Sequence, residues 1–241
     1  MATHVTVDPT NVDQPGASPD RQALRERVAV SIRGQLLDGA LRPGDRVSAS
    51  GIARKLGVSH IPVREALTML QAEGYLEARK DRGFAVPSLS LEVFEDIAHW
   101  RNLIEDEAHR VIVPSMRDDV LDRMSAYLAE MDEACAVSDR PRFLSLNHAF
   151  HFLPFQALGS PRLVAILRPL WELMAYYYTV IPGFGLDIDR SQADHRELLD
   201  AYRERDVKTA VRVSAKHRSS GLEVVRAVFD GSYDGTPDAA L

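Results

Sequence analysis

The stretch Leu56-Gly57-Val58-Ser59-His60-Ile61-Pro62-Val63-Arg64-Glu65-Ala66-Leu67 decides how this chain is read. Gly57 ends a short helix whose inward residues are expected to be Ile52, Ala53 and Leu56. Ser59 is placed to cap the next helix, and Pro62 is tolerated in its first turn, where amides lack intrahelical partners. Val63, Ala66, Leu67 and Leu70 then recur as one apolar stripe. Downstream, Tyr75–Arg79 and Gly83–Val86 flank the turn Lys80-Asp81-Arg82-Gly83, the pattern of a small hairpin. Upstream, Leu24, Val28, Ile32 and Leu36 line one face of a helix that stops in the turn Gly39-Ala40-Leu41-Arg42-Pro43-Gly44. Helix, turn, helix and hairpin in this order make a winged helix-turn-helix.

The other face of the second helix carries His60, Ile61, Arg64 and Thr68. A helix fits the major groove, and residues near its N-terminus reach base edges. Arg64 is the candidate for a two-pronged bond to guanine, and Arg82 at the hairpin tip could reach phosphates or the minor groove. With Ser48, Ser50, Ser59 and Gly83 these residues form the candidate DNA-contact set. A polar helix face is most often merely solvated. Here the order of elements and the local charge override that reading. Residues 21–88 hold 12 Lys and Arg against 7 Asp and Glu, a net +5, while residues 89–241 carry −8 and residues 1–20 carry −3. A basic block joined to an acidic one suggests a nucleic-acid module attached to a partner with other work.

The rest of the composition mainly excludes. One cysteine, Cys135, forbids an intramolecular disulfide and reads as a small buried apolar residue. The first 20 residues lack a signal peptide's basic and apolar regions, and no apolar run is long enough to span a membrane, so a cytoplasmic location is expected. Residues 1–20 read as a flexible arm, 21–87 as the DNA-binding domain, 88–90 as a linker, 91–231 as an all-α domain and 232–241 as a flexible tail. The fold class is therefore mostly α, a winged helix-turn-helix followed by an all-α bundle. Helices are expected at about 91–112, 117–137, 140–158, 161–180, 190–204 and 206–229, with Pro154 kinking or ending the third and a loop at Ile181-Pro182-Gly183-Phe184-Gly185.

In that second domain Asn147 and His151 stand four residues apart, on one face of one helix, and His195 and His217 lie on two later helices. A bundle can bring three such helices around one interior point. Taken singly, a histidine of this kind is more often structural than ligating. The cluster Trp171, Tyr176, Tyr177 and Tyr178 reads as core or pocket wall, and His148 carries no assigned role.

The quoted stretch, together with Pro43-Gly44-Asp45-Arg46, Glu73-Gly74-Tyr75 and Arg82-Gly83-Phe84, resembles the GntR-type transcriptional regulators over residues 22–87. Where that family usually has Arg-Thr, this chain has His60-Ile61, which implies a different affinity or half-site preference. The segments Arg101-Asn102-Leu103-Ile104-Glu105, Asn147-His148-Ala149-Phe150-His151, Asp194-His195-Arg196-Glu197-Leu198-Leu199 and Ala215-Lys216-His217-Arg218 resemble the FadR-type ligand-binding domain called FCD over residues 91–229, in its six-helix VanR-like branch. The resemblance implies a divalent metal held by Asn147, His151, His195 and His217. Such a donor set suits zinc but also nickel or another first-row metal. It further implies a small carboxylate effector bound near the metal, contacted by Asn147 and Arg101. An ion pair from Arg101 to Glu105, one turn on, is the competing reading of that arginine. Asp is the commoner first ligand in the family, so Asn147 should leave the site one charge more positive.

The expected function is a homodimeric regulator, read as a repressor, that binds double-stranded operator DNA. A metal-dependent hydrolase would need an open coordination position and a positioned base, and no His-Glu-x-x-His motif is present. An architectural DNA protein would leave the histidines without a purpose.

Overall fold

The computed structural model describes residues 19–80, 83–181 and 187–233. The expected arm over residues 1–18, Arg82, the Pro182–Gly185 loop and the tail beyond residue 233 lie outside the described residues. Helix α1 (Pro19–Leu37) begins inside the stretch expected as an arm and buries Val28, Ala29, Ile32 and Leu36, while Leu24 is half-buried. Helix α2 (Ala49–Leu56) is capped by Ser48, whose Oγ accepts from Gly51 N at 3.1 Å. It ends at Gly57, which takes φ +66°, a left-handed conformation that glycine adopts without steric cost. Helix α3 (His60–Ala72) buries Val63, Ala66, Leu67 and Leu70 completely.

Two local expectations fail here. Leu56 is 44% exposed, because the left-handed turn at Gly57 ends α2 before a further residue can cover its last turn, and Ala53 alone of the three expected positions is fully buried. Ser59 occupies the N-cap position of α3, but its side chain makes no capping hydrogen bond.

The hairpin strands are β2 (Glu77–Arg79) and β3 (Gly83–Ala85), with Ala78 opposite Phe84. A third strand, β1 (Arg46–Val47), pairs antiparallel with β3, so the sheet order is β1-β3-β2. Bonds from Gly44 N to Val86 O and from Val86 N to Asp45 O, each 2.9 Å, extend that pairing. Ion pairs Arg21–Glu65 and Arg33–Glu73 tie α1 to α3.

Contacts divide the chain into two compact units, one reaching Gln35 and resuming at 44–87, the other comprising Leu36–Pro43 and the chain from Ser88. The second unit contains α4 (Leu91–Ile112), α5 (Asp118–Ala136), α6 (Arg140–Ala157), α7 (Pro161–Val180), α8 (Ile188–Arg203) and α9 (Val207–Asp230), with a short 3-10 turn at Val113–Ser115. Side-chain caps at Ser90, Asp139, Ser160, Asp187 and Asp206 set where five of these helices start. Helix α5 packs on α6 and α8, α4 on α7 and α9, and α8 on α9. Their shared core includes Met124, Met131, Phe150, Phe155, Leu167 and Tyr202.

Pro154 does not end α6, which runs three residues further to Ala157. The proline is buried, as are Phe152 and Phe155, and its carbonyl still accepts from Leu158 N at 3.2 Å, so burial holds the last turn despite the missing amide donor. Among the described residues no helix is long and apolar enough to cross a membrane.

Candidate nucleic-acid interface and metal centre

Burying Val63, Ala66, Leu67 and Leu70 on one side of α3 forces His60, Ile61, Arg64 and Thr68 to the solvent side, and all four are exposed. An open concavity of about 600 Å³ is lined by Ser48, Ser50, His60, Arg64, Gly83 and Phe84, with Arg46 at its edge. The structure thus gathers most of the expected contact set in one place. Ser59 is exposed beside it, and the Thr68 hydroxyl is turned back onto Arg64 O at 2.9 Å. Ser48 and Ser50 share a hydroxyl bond of 2.9 Å. Glu65 is neutralised by Arg21, and among the described residues Arg64 makes no ion pair, so its guanidinium is free to meet an acceptor. Arg46 is an addition. It follows the Pro43-Gly44-Asp45 turn, and its pairing opposite Ala85 carries it to the concavity.

In the second unit, α6 presents His151, α8 His195 and α9 His217, and the three offer ligand nitrogens that all lie within 4.8 Å of one another. Ring centroids are 4.7 to 4.8 Å apart, and the His151 and His195 Nε2 atoms approach to 2.9 Å. Nitrogens around a tetrahedral zinc stand about 3.4 Å apart, a spacing these side chains can reach by small rotations. Burial, with His217 the next cause, holds His151 and His195 well below the ordinary imidazole range, so both keep neutral rings with ligating lone pairs. Asn147, one turn before His151, has a buried Oδ1 with no hydrogen-bond partner. Three convergent imidazoles and an orphaned carbonyl oxygen suit a divalent cation.

Around these histidines lies a second set of polar groups. The His195 Nδ1 is 2.8 Å from Gln192 Oε1, and Gln192 Nε2 donates to Asp132 Oδ1 at 2.7 Å. Asp194 takes Lys216 at 2.6 Å and stands 3.7 Å from His217 Nδ1. Of these, Gln192 was within reach of sequence, three residues before His195 on the same helix face. Asp132 sits on α5 and carries no such signal.

Arg101 is buried and forms the ion pair with Glu105, at 2.6 Å. Its guanidinium carbon also lies over the Trp171 ring, 3.6 Å from the centroid, and the group donates to the Met174 sulfur at 3.3 Å. Trp171 in turn contacts His151, with centroids 5.4 Å apart. Arg218 meets Glu105 Oε2 at 2.8 Å, Asn102 and Ser214 at 2.6 Å each, and Asp106. Burial pushes the Glu105 carboxyl up, but Arg101 and Arg218 together hold it below the usual range. His148 stacks on Phe152 with its Nε2 buried and unpartnered.

Residues 24–86 match the model of bacterial regulatory proteins of the gntR family, and residues 96–220 match the FCD domain. The Nta operon transcriptional regulator of Aminobacter aminovorans is 27% identical over 82% of this chain and 94% of its own length. The Paenarthrobacter nicotinovorans protein named "Probable D-xylose utilization operon transcriptional repressor" is 26% identical over 91% of this chain and 98% of its own. The solved structure of E. coli McbR/YncC superposes with a TM-score of 0.71 at 22% identity, covering 87% of this chain and 99% of that one.

Proposed function

Because the chain belongs to the gntR family of bacterial regulatory proteins and carries an FCD domain, we propose that it is a homodimeric, cytoplasmic repressor whose grip on operator DNA is set by a small carboxylate effector bound beside a divalent metal. It is a transcriptional regulator with a DNA-binding domain and an effector-binding domain, and its relatives are regulators, not enzymes.

The observation that carries the finer reading is the convergence of His151, His195 and His217, with an orphaned Asn147 Oδ1 one helical turn before His151. These four residues would hold the cation, and the bound cation would supply a positive point for one carboxylate oxygen. Arg101 supports the carboxylate assignment. Its Nε is committed to Glu105, but its other edge rests on the Met174 sulfur, a weak acceptor that a carboxylate would displace. Arg101 and Arg218 against Glu105 and the half-buried Asp106 make this cluster neutral overall, so an entering carboxylate would draw its compensating charge from the cation.

In the reader, Arg64, His60, Ser48, Ser50 and Gly83 around the concavity would meet the major groove, with Ser59, Ile61, Thr68 and Arg82 completing the contact set. Two copies are required because paired half-sites need paired reading helices. Effector binding can move the heads only by the difference in its affinity for their two arrangements.

Thermal melting against a panel of small carboxylates, with zinc or with a chelator, tests this reading. A carboxylate at about 100 times its Kd stabilises by about 2.7 kcal/mol, a rise of roughly 5–10 °C for a chain of this size. No shift with any carboxylate, together with indifference to chelation, would refute the sensing role.

A further inference from the structure

The hydrogen bonds behind the triad have a fixed direction. The Asp132 carboxylate can only accept, so the Gln192 amide must turn its NH₂ toward Asp132, at 2.7 Å. Gln192 Oε1 is then the atom facing His195 Nδ1 at 2.8 Å, and that nitrogen must carry the proton. His195 is completely buried, where a second proton would place a charge out of reach of water, so with Nδ1 protonated its Nε2 is a bare lone pair. The 2.9 Å contact between the two Nε2 atoms therefore takes its proton from His151. Asp132 is itself pinned, since Arg196 Nη2 reaches both its oxygens, at 2.7 and 2.9 Å.

We infer that Gln192, oriented by Asp132 across the α5–α8 packing, is a positioning residue that locks His195 in the Nδ1–H tautomer and aims its bare Nε2 into the triad. The inference rests on the metal reading of the triad for its consequence but not for its geometry. A histidine ligand whose second nitrogen is held by a hydrogen-bonded partner binds a cation in one orientation and one tautomer, and loss of such partners typically weakens metal affinity 10–100-fold. The lock also assigns the other proton. His151 Nε2–H is the hydrogen that must leave the nitrogen pair, by moving to Nδ1 of the same ring, before both nitrogens can face one cation.

The test uses the full-length protein with ¹⁵N-labelled histidine. In the metal-free wild type, long-range ¹H–¹⁵N spectra should show His195 protonated on Nδ1 and His151 on Nε2. Zinc affinity is then read by competition with a chromophoric chelator. Gln192→Leu should leave His195 a mixture of tautomers and weaken zinc binding 10–100-fold. Asp132→Asn keeps an acceptor for the Gln192 amide and should stay near wild type, whereas Asp132→Leu frees the amide to turn over and should resemble Gln192→Leu. A wild-type His195 protonated on Nε2 overturns the proposal without any variant, so it does not depend on Gln192→Leu folding. Zinc bound equally well by wild type and Gln192→Leu overturns it as well. Wild-type protein that takes up no zinc, with the tautomers as expected, instead overturns the metal reading of the site and leaves the lock standing.

Discussion

Asn147 and Arg64 are the two side chains on which the proposed functions turn most directly. Asn147 offers a neutral oxygen where an aspartate would offer a charged one. Asn147→Asp should therefore hold zinc about tenfold more tightly and bind a carboxylate effector less well, since the added negative charge acts at close range. Chelator competition and effector titration read the two effects, and a variant that released zinc more readily than wild type would contradict the first. Arg64 is exposed, free of ion pairs among the described residues and set in the concavity with His60 and Ser48. Arg64→Ala should cost about 1–3 kcal/mol of operator binding and relax the sequence preference at one base pair. If binding weakened equally on operator and random DNA, Arg64 would be a phosphate contact instead. Sequence alone could place both residues on their helix faces. It left Arg101 between two partners, because an arginine four residues before a glutamate is the same pattern whether it is paired or waiting for a ligand.

At the scale of elements, α9 illustrates what a sequence does not say about itself. Gly221 stands in the middle of that helix, where glycine costs about 1 kcal/mol relative to alanine. A β-carbon there would collide with the Tyr178 hydroxyl and come within 2.9 Å of its Cζ. Gly221→Ala should thus destabilise the protein by about 1–3 kcal/mol by overpacking, despite its better helix propensity, and adding Tyr178→Phe should recover part of the loss. Urea unfolding of the three variants gives the comparison, and a stabilised Gly221→Ala would show that α7 and α9 can part freely. The helices themselves were legible because stripes such as Val63, Ala66, Leu67 and Leu70 repeat at helical spacing. Strand β1 was not, because two residues have no period and its pairing with β3 is a tertiary event. Pro154 misled for a related reason: the rule about proline is local, and the burial of that last turn in the core is not.

For the whole molecule, the buried polar network of the second unit makes stability depend on acid. His109 is enclosed by the Tyr202 hydroxyl at 2.8 Å and Ser214 Oγ at 3.0 Å, and burial lowers its pKa to about 4. A depressed value means that the unfolded chain takes the proton first. The contribution is complete above pH about 6.5 and is lost as pH falls toward 4, an amount of about 3 kcal/mol. Glu105, held down by its two arginines, loses its contribution in the same direction at lower pH. Unfolding free energies between pH 7 and 4.5 should fall steeply, and His109→Gln should flatten the slope by about one proton. An unchanged slope would place the acid sensitivity elsewhere. The two tryptophans give this molecule an optical partition. Trp100 is 52% exposed, whereas Trp171 is 7% exposed, touching His151 on one side and the Arg101 guanidinium on its face. Iodide should quench the first and spare the second. In a Trp100→Phe protein the remaining emission comes from an indole wedged between the proposed cation site and the proposed carboxylate site. Its wavelength and lifetime then report occupancy of either one in unlabelled protein, with no DNA present.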